Sequence, residues 1–147
     1  MNLIEHKKAR FNYDFLEHYE AGIELLGFEV KSVRKGNGKL EGSHVVVRDG
    51  EAFIVGMSIP PYQPLNTPQS YDPERTRKLL LTKKEIALLA GFEGQKGLTI
   101  VPIALYSKGR TIKLSVAIAR GRKKHDKRRV IKERESRREI ERTLKNK

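Results

Sequence analysis

The sequence predicts a mainly β protein: a small antiparallel barrel with one or two short helices, followed by a basic C-terminal tail that is disordered when free. Three observations predict it. Two stretches, 45–55 and 98–118, read as β-hairpins. A single well-marked helix start lies between them, at Thr82. Strand and helix signals end by about Ile118, after which the chain becomes mostly charge.

The elements follow in order. Tyr13 to Val33 mixes two periods. Phe15-Leu16 and Ala21 to Leu26 read as strand, while Leu26, Val30 and Val33 recur at three- and four-residue spacing, which suits a short helix after Gly27. Gly36-Asn37-Gly38 is a breaker, not a phosphate cradle. Val45-Val46-Val47 and Ala52-Phe53-Ile54-Val55 flank Asp49-Gly50, and Asp-Gly supplies the positive φ angles of a type I′ hairpin turn. Ile59 to Asp72 holds Pro60, Pro61, Pro64 and Pro68, so it reads as a loop without regular structure, long enough for a function.

Leu79-Leu80-Leu81 runs into the helix start. Thr82 and Glu85 have the spacing of a capping box, and Leu81 and Ile86 the spacing of a hydrophobic staple. Ile86, Leu89 and Ala90 form the expected buried face, with Gly91 as the terminator. In the second hairpin Leu98 to Tyr106 is one strand and Lys108-Gly109 falls in the turn. Ile112, Leu114, Val116 and Ile118 then alternate with Thr111, Lys113, Ser115 and Ala117, which predicts one buried and one wet face. Pro102 cannot donate to a ladder, so it belongs at an edge or bulge. About six short strands with an inserted helix suit a barrel, because closure removes edges. An OB-like barrel is the first choice and a split α+β sheet the second.

The chain divides into a domain over 1–119 and a tail over 120–147. The formal net charge is +13, and 14 of the 31 Lys/Arg lie in 120–147 against 5 Asp/Glu. Such a balance points to phosphate backbones or anionic membranes. Four large apolar residues beyond residue 121 (Val130, Ile131, Ile140 and Leu144) cannot offset the ordering entropy of the tail. The pairs Glu133/Arg137 and Glu141/Lys145 allow a helix once phosphates neutralise the arginines. The tail lacks the aromatic or leucine face that membrane insertion needs. There is no cysteine, no apolar stretch at the N-terminus like that of a secretory signal, and no run long enough to span a bilayer. A cytoplasmic location is expected.

No catalytic residue, metal or cofactor is expected. His6, His18, His44 and His125 show no metal-binding spacing, and no HExxH, GxSxG, Walker or GxGxxG motif occurs. Glu17, Glu20 and Glu24 have no histidine or lysine at a diagnostic spacing for acid–base work. Binding residues are easier to propose. Lys7, Lys8 and Arg10 lie beside Phe11 and Tyr13, a mixture that suits RNA: charge on phosphates, rings on unpaired bases. The structural alternative is that Phe11 and Tyr13 are core and the lysines only solubilise. Arg75, Arg77 and Lys78 follow the proline loop and form a candidate RNA rim. Arg122, Lys123, Lys124, His125, Asp126, Lys127 and Arg128 concentrate charge beyond what a solvated face needs.

Six blocks in order resemble the small protein B (SmpB) family, the tmRNA-binding proteins of bacterial trans-translation. They are Lys8-Ala9-Arg10, Tyr19 to Leu25, Gly27 to Arg34, Arg48 to Phe53, Arg75 to Leu81 and Ala119 to Arg128. The resemblance implies an OB-like barrel that binds the tRNA-like domain of tmRNA and enters stalled ribosomes with it. It implies that the tail occupies the decoding centre and the empty mRNA channel. It assigns Glu20, Leu80 and Thr82 to tmRNA binding and His125, Asp126, Lys127 and Arg128 to the tail motif. Partners implied through the tmRNA complex are alanyl-tRNA synthetase and elongation factor Tu. Thr82 is equally a helix cap, and Leu80 is more easily core than contact. Many members carry His where Phe11 stands, so Phe11 can stack but cannot donate a ring hydrogen bond. The alternatives are a general OB-type ribosomal RNA-binding protein, an RNA-processing enzyme and a peripheral membrane protein.

Overall fold

The computed structural model describes residues 2–122 together with 134, 135, 137 and 138. Most of the tail, including Lys123 to Arg128, lies outside the described residues. The order is β1 (Asn2–Glu5), α1 (Ala9–Asn12), β2 (Tyr13–Ile23), α2 (Gly27–Arg34), β3 (His44–Arg48), β4 (Glu51–Val55), a 3-10 turn (Pro64–Asn66), β5 (Arg77–Leu80), α3 (Lys83–Phe92), β6 (Leu98–Lys108) and β7 (Thr111–Gly121).

All seven strands join one sheet in the order β1-β6-β7-β2-β5-β4-β3, and every pairing is antiparallel. The mainly β expectation holds. A closed barrel is not what forms: no ladder among the described residues joins the edge strands β1 and β3, so the sheet is open. It curls far enough to bring β3 against β6. The concave side buries Val45, Ile54, Leu79, Leu105, Leu114 and Ile118 with Val33 of α2 and Leu89 of α3.

Local chemistry explains the elements that were legible. Asp49 and Gly50 have φ of 52° and 75°, so the β3–β4 turn has the two positive angles of type I′, and Arg48 faces Glu51 across it. The β6–β7 register shifts between Pro102 and Ala104, which places the proline at a bulge. His6 reads that bulge: its backbone N–H donates to the Ile103 carbonyl at 2.8 Å and its ring Nδ1 donates to the Pro102 carbonyl at 2.9 Å.

Other details differ from expectation. Helix α3 passes through Gly91 and ends at Phe92, with Gly94 at φ +88° just beyond, and Ala90 is exposed. The buried side of α3 is Leu89, flanked by partly buried Ile86 and Phe92. Ala117 is buried, so both sides of β7 are covered at that end. The short strand β1, with only Leu3 and Ile4 apolar, carries too little periodicity to be seen in the sequence. β7 keeps its pairing to Gly121, and the Arg122 N–H donates to the Asn12 carbonyl at 2.8 Å.

The capping box forms as the spacing predicts: the Glu85 N–H donates to Thr82 Oγ1 at 3.2 Å, and the Thr82 N–H donates to Glu85 Oε1 at 3.1 Å. Thr82→Ala is expected to cost about 1 kcal/mol by urea unfolding, the ordinary value of a threonine cap. An unchanged midpoint would show that the cap is redundant here.

Candidate nucleic-acid interface

Strand pairing builds the convex side of the sheet. Ala21 faces Leu114, and both point into the core, so their neighbours point outward. The outward residues form rows that cross several strands. Leu80 of β5 pairs with Gly22 of β2, Gly22 with Lys113 of β7, and Lys113 with Tyr106 of β6. The next row is Glu20, Ser115, Ala104 and Glu5. Gly22 has a packing role: a Cβ there would lie 3.0 Å from Leu80 Cβ, so the bare backbone lets Leu80 lie against the sheet. Leu80 is 51% exposed and is therefore a surface shelf, not core.

Glu20 stands at the centre of this face. Its carboxylate accepts from the Tyr106 hydroxyl and from Lys108 Nζ at 3.0 Å. The Tyr106 hydrogen bond and then the Lys108 contact hold its pKa below the usual carboxylate value. Burial, and then the bond to Glu20, push the Tyr106 hydroxyl up to about 12. At neutral pH the arrangement is thus an anion gripping a tyrosine and a lysine, with Lys113 nearby. Tyr106, Lys108 and Lys113 were not singled out in the sequence. Tyr106 and Lys108 meet Glu20 only through pairing across 86 and 88 residues of chain, and no local spacing signals that.

The N-terminal basic cluster borders the same face. Lys7, Lys8 and Arg10 are exposed, while Phe11 and Tyr13 are half-buried. Asn2, His6, Arg10, Ile103 and Ala104 help line a cleft of about 310 Å³ there, and Ala104 belongs to the row that contains Glu20. Thr82 is exposed at the start of α3, just past Leu80. Lys78 is half-buried, with its Nζ 3.1 Å from Glu51 Oε1.

Two expected rim residues are placed elsewhere. Arg77 is fully buried. Its Nε donates to Glu29 Oε2 at 2.9 Å, Nη2 to the same oxygen at 2.5 Å, and Nη1 to the Met57 carbonyl at 2.9 Å and the Arg75 carbonyl at 3.0 Å. With its donors used inside the fold, Arg77 is a structural residue. Arg75 donates from Nε to Glu29 Oε2 at 3.1 Å and from Nη2 to Glu29 Oε1, so it is also largely committed. Arg122, assigned to the tail, is pinned to the domain through Nε to Asp14 Oδ1 at 2.9 Å. Among the described residues no group of three His, Cys, Asp or Glu could hold a metal ion, and no helix is long and apolar enough to cross a membrane.

An open sheet whose convex side combines lysines, a tyrosine and an apolar shelf, bordered by a basic N-terminal cluster, has the chemistry of an RNA-binding surface. Comparison with known proteins gives the particular group. The chain belongs to the SmpB protein family, whose model matches residues 3–146. It is 49% identical over 143 residues to the SsrA-binding protein of Synechococcus sp. (strain JA-3-3Ab), covering 97% of this chain and 93% of that one. It is 47% identical over 144 residues to the SsrA-binding protein of Clostridium acetobutylicum, covering 98% and 92%. Among solved structures it matches a chain described in "tmRNA-SmpB: a journey to the center of the bacterial ribosome" with a TM-score of 0.71 and 42% identity, covering 84% of this chain and 87% of that one.

Proposed function

We propose that this protein binds the tRNA-like domain of tmRNA and delivers it to stalled ribosomes in trans-translation. The observation that carries the reading is the likeness, at 42% identity over 84% of the chain, to a protein from a tmRNA–SmpB ribosome structure. In this reading the 1–119 domain presents its convex face to the RNA. Lys7, Lys8, Arg10 and Lys78 take phosphates, Phe11 and Tyr13 offer rings, and Glu20, Leu80 and Thr82 form the specific contact. The curl that brings β3 against β6 supports an OB-like barrel as the underlying form. The tail beyond Arg122, becoming helical on the ribosome, reads the small-subunit decoding centre and the empty mRNA channel. Alanyl-tRNA synthetase and elongation factor Tu meet the protein through the tmRNA complex, in the cytoplasm.

The test is affinity for tmRNA, tRNA and an unrelated hairpin at one fixed salt concentration. Preference for tmRNA supports the reading; equal affinity for all three favours a general ribosomal RNA-binding protein. The tail has a separate test. Replacing Asp126, Lys127 and Arg128 by Ala is expected to leave tmRNA affinity near normal and to abolish most peptide tagging on stalled ribosomes. Lys127 and Arg128 supply a point charge and a planar fork for phosphates, His125 a ring for stacking, and Asp126 a helix cap. Normal tagging, or parallel loss of both activities, would remove the assignment.

A further inference from the structure

Helix α2 packs Val33 into the core on the concave side of the sheet, so it lies on the side opposite Glu20 and Lys113. Where its first turn meets the proline loop there is a cleft of about 290 Å³, lined chiefly by Phe28, Lys31, Tyr62, Gln63, Asn66 and Thr67. Tyr62 is 36% exposed, and Lys31 Nζ stands 6.0 Å from the centre of its ring. Beside it Leu65 is fully exposed. Lys35, one turn along α2 from Lys31, is also exposed. None of these residues has a part in the convex-face reading.

The cleft is held in shape from beneath. The single Tyr71 hydroxyl proton is shared between Glu29 Oε2 at 2.8 Å and the Ile59 carbonyl at 2.9 Å, and the Tyr71 ring meets Phe28 edge-on at 4.7 Å. Within the loop the Asn66 amide donates to Gln63 Oε1 at 2.8 Å and Thr67 Oγ1 to the Gln63 carbonyl at 2.8 Å. A loop tied down at this many points loses little entropy on binding.

We propose that this cleft is a second RNA site, which takes one unpaired nucleotide with its base stacked on Tyr62 and its phosphate on Lys31. The chemistry selects the ligand. A partly exposed phenol ring such as Tyr62 is a stacking platform for any base. The lysine over the ring, 6.0 Å from its centre, supplies the charge for the adjoining phosphate, and side-chain amides at 63 and 66 supply donors and acceptors for base edges. An acidic peptide would use the lysine but would leave the aromatic platform idle. The inference rests on the reading of this chain as an RNA-binding protein, but not on which RNA the convex face holds. A protein that carries one RNA to a second needs contacts on two sides, and the α2 side provides the second.

The experiment uses the full chain and a single-stranded ten-nucleotide RNA carrying one 2-aminopurine, in salt high enough to weaken contacts made by charge alone. Stacking on a ring quenches the probe. Tyr62→Ala is expected to weaken binding about tenfold, as loss of one stacked base does, and to abolish most of the quench. Tyr62→Phe keeps the ring and should bind within about twofold of the parent. Lys31→Ala should weaken binding and flatten its salt dependence while the quench at saturation persists. In Tyr62→Ala the affinity for the tRNA-like domain of tmRNA should be unchanged. Unaltered binding and quench in Tyr62→Ala would overturn the proposal. So would equal losses in Tyr62→Ala and Tyr62→Phe, which would mean damage to the loop, or full displacement of the probe by an acidic peptide of equal length. Failure of the convex-face reading would show instead as indifference to Lys108→Ala with the tRNA-like domain, so the two readings fail separately.

Discussion

Replacing Glu29 by Ala is expected to destabilise the fold by about 3–5 kcal/mol, the ordinary cost of stranding a buried charge. Glu29 and Arg77 both have fully buried side chains and are ion-paired at 2.5 Å, with Arg75 bound to the other carboxylate oxygen. The Leu26 N–H donates to the same carboxylate at 2.8 Å. Removing Glu29 leaves the Arg77 guanidinium without an anion in the interior. It also frees the proline loop, because Tyr71 and Arg75 lose their common anchor. Burial by itself raises the Glu29 pKa, but Arg75, the Leu26 N–H, Arg77 and Tyr71 together pull it from an ordinary 4.5 down to about 2. A depressed carboxylate contributes stability that is present above its unfolded pKa and is lost as pH falls through the folded one. Stability should therefore drop between about pH 4.5 and 2, and Glu29→Gln should flatten that acid limb. Urea midpoints against pH measure both effects. A loss below about 1 kcal/mol in Glu29→Ala would show that the arginines find water or other acceptors.

Glu20→Ala is expected to weaken tmRNA binding about tenfold, the scale of one charge-assisted contact, while the melting temperature moves by only a few degrees. The residue is exposed, so the fold does not depend on it, but it holds the Tyr106 hydroxyl and Lys108 Nζ in place on the convex face. Lys108→Ala separates two ways Glu20 can act. If Glu20 works by aiming Lys108, the double variant should be no weaker than Lys108→Ala. If Glu20 itself accepts from a ribose or base, the two losses should add. Equal weakening toward an unrelated hairpin would argue against any specific contact at Glu20.

What the sequence could determine is what short-range chemistry controls. Asp49-Gly50 makes its turn because two adjacent residues tolerate positive φ. Thr82 and Glu85 cap α3 because the partners are three residues apart. Pro102 marks a bulge because it has no N–H to give. The placement of 14 basic residues beyond residue 119 narrows the partner to phosphate backbones or anionic membranes whatever the fold. Six ordered blocks carried the family as well, and the family model bears that out over residues 3–146.

Tertiary structure alone decided which charged residues are available. Arg75, Arg77 and Lys78 look alike along the chain, yet Arg77 is buried because Glu29, 48 residues earlier, offsets its desolvation, while Lys78 on the opposite side of the same strand stays near the surface. Leu80 is exposed and Leu79 buried because the strand alternates and β2 fixes the register. The row Leu80, Gly22, Lys113 and Tyr106 exists only once four strands have chosen their neighbours. Strand pairing is non-local: each register depends on burial summed over both partners, and that sum is formed only in the folded sheet.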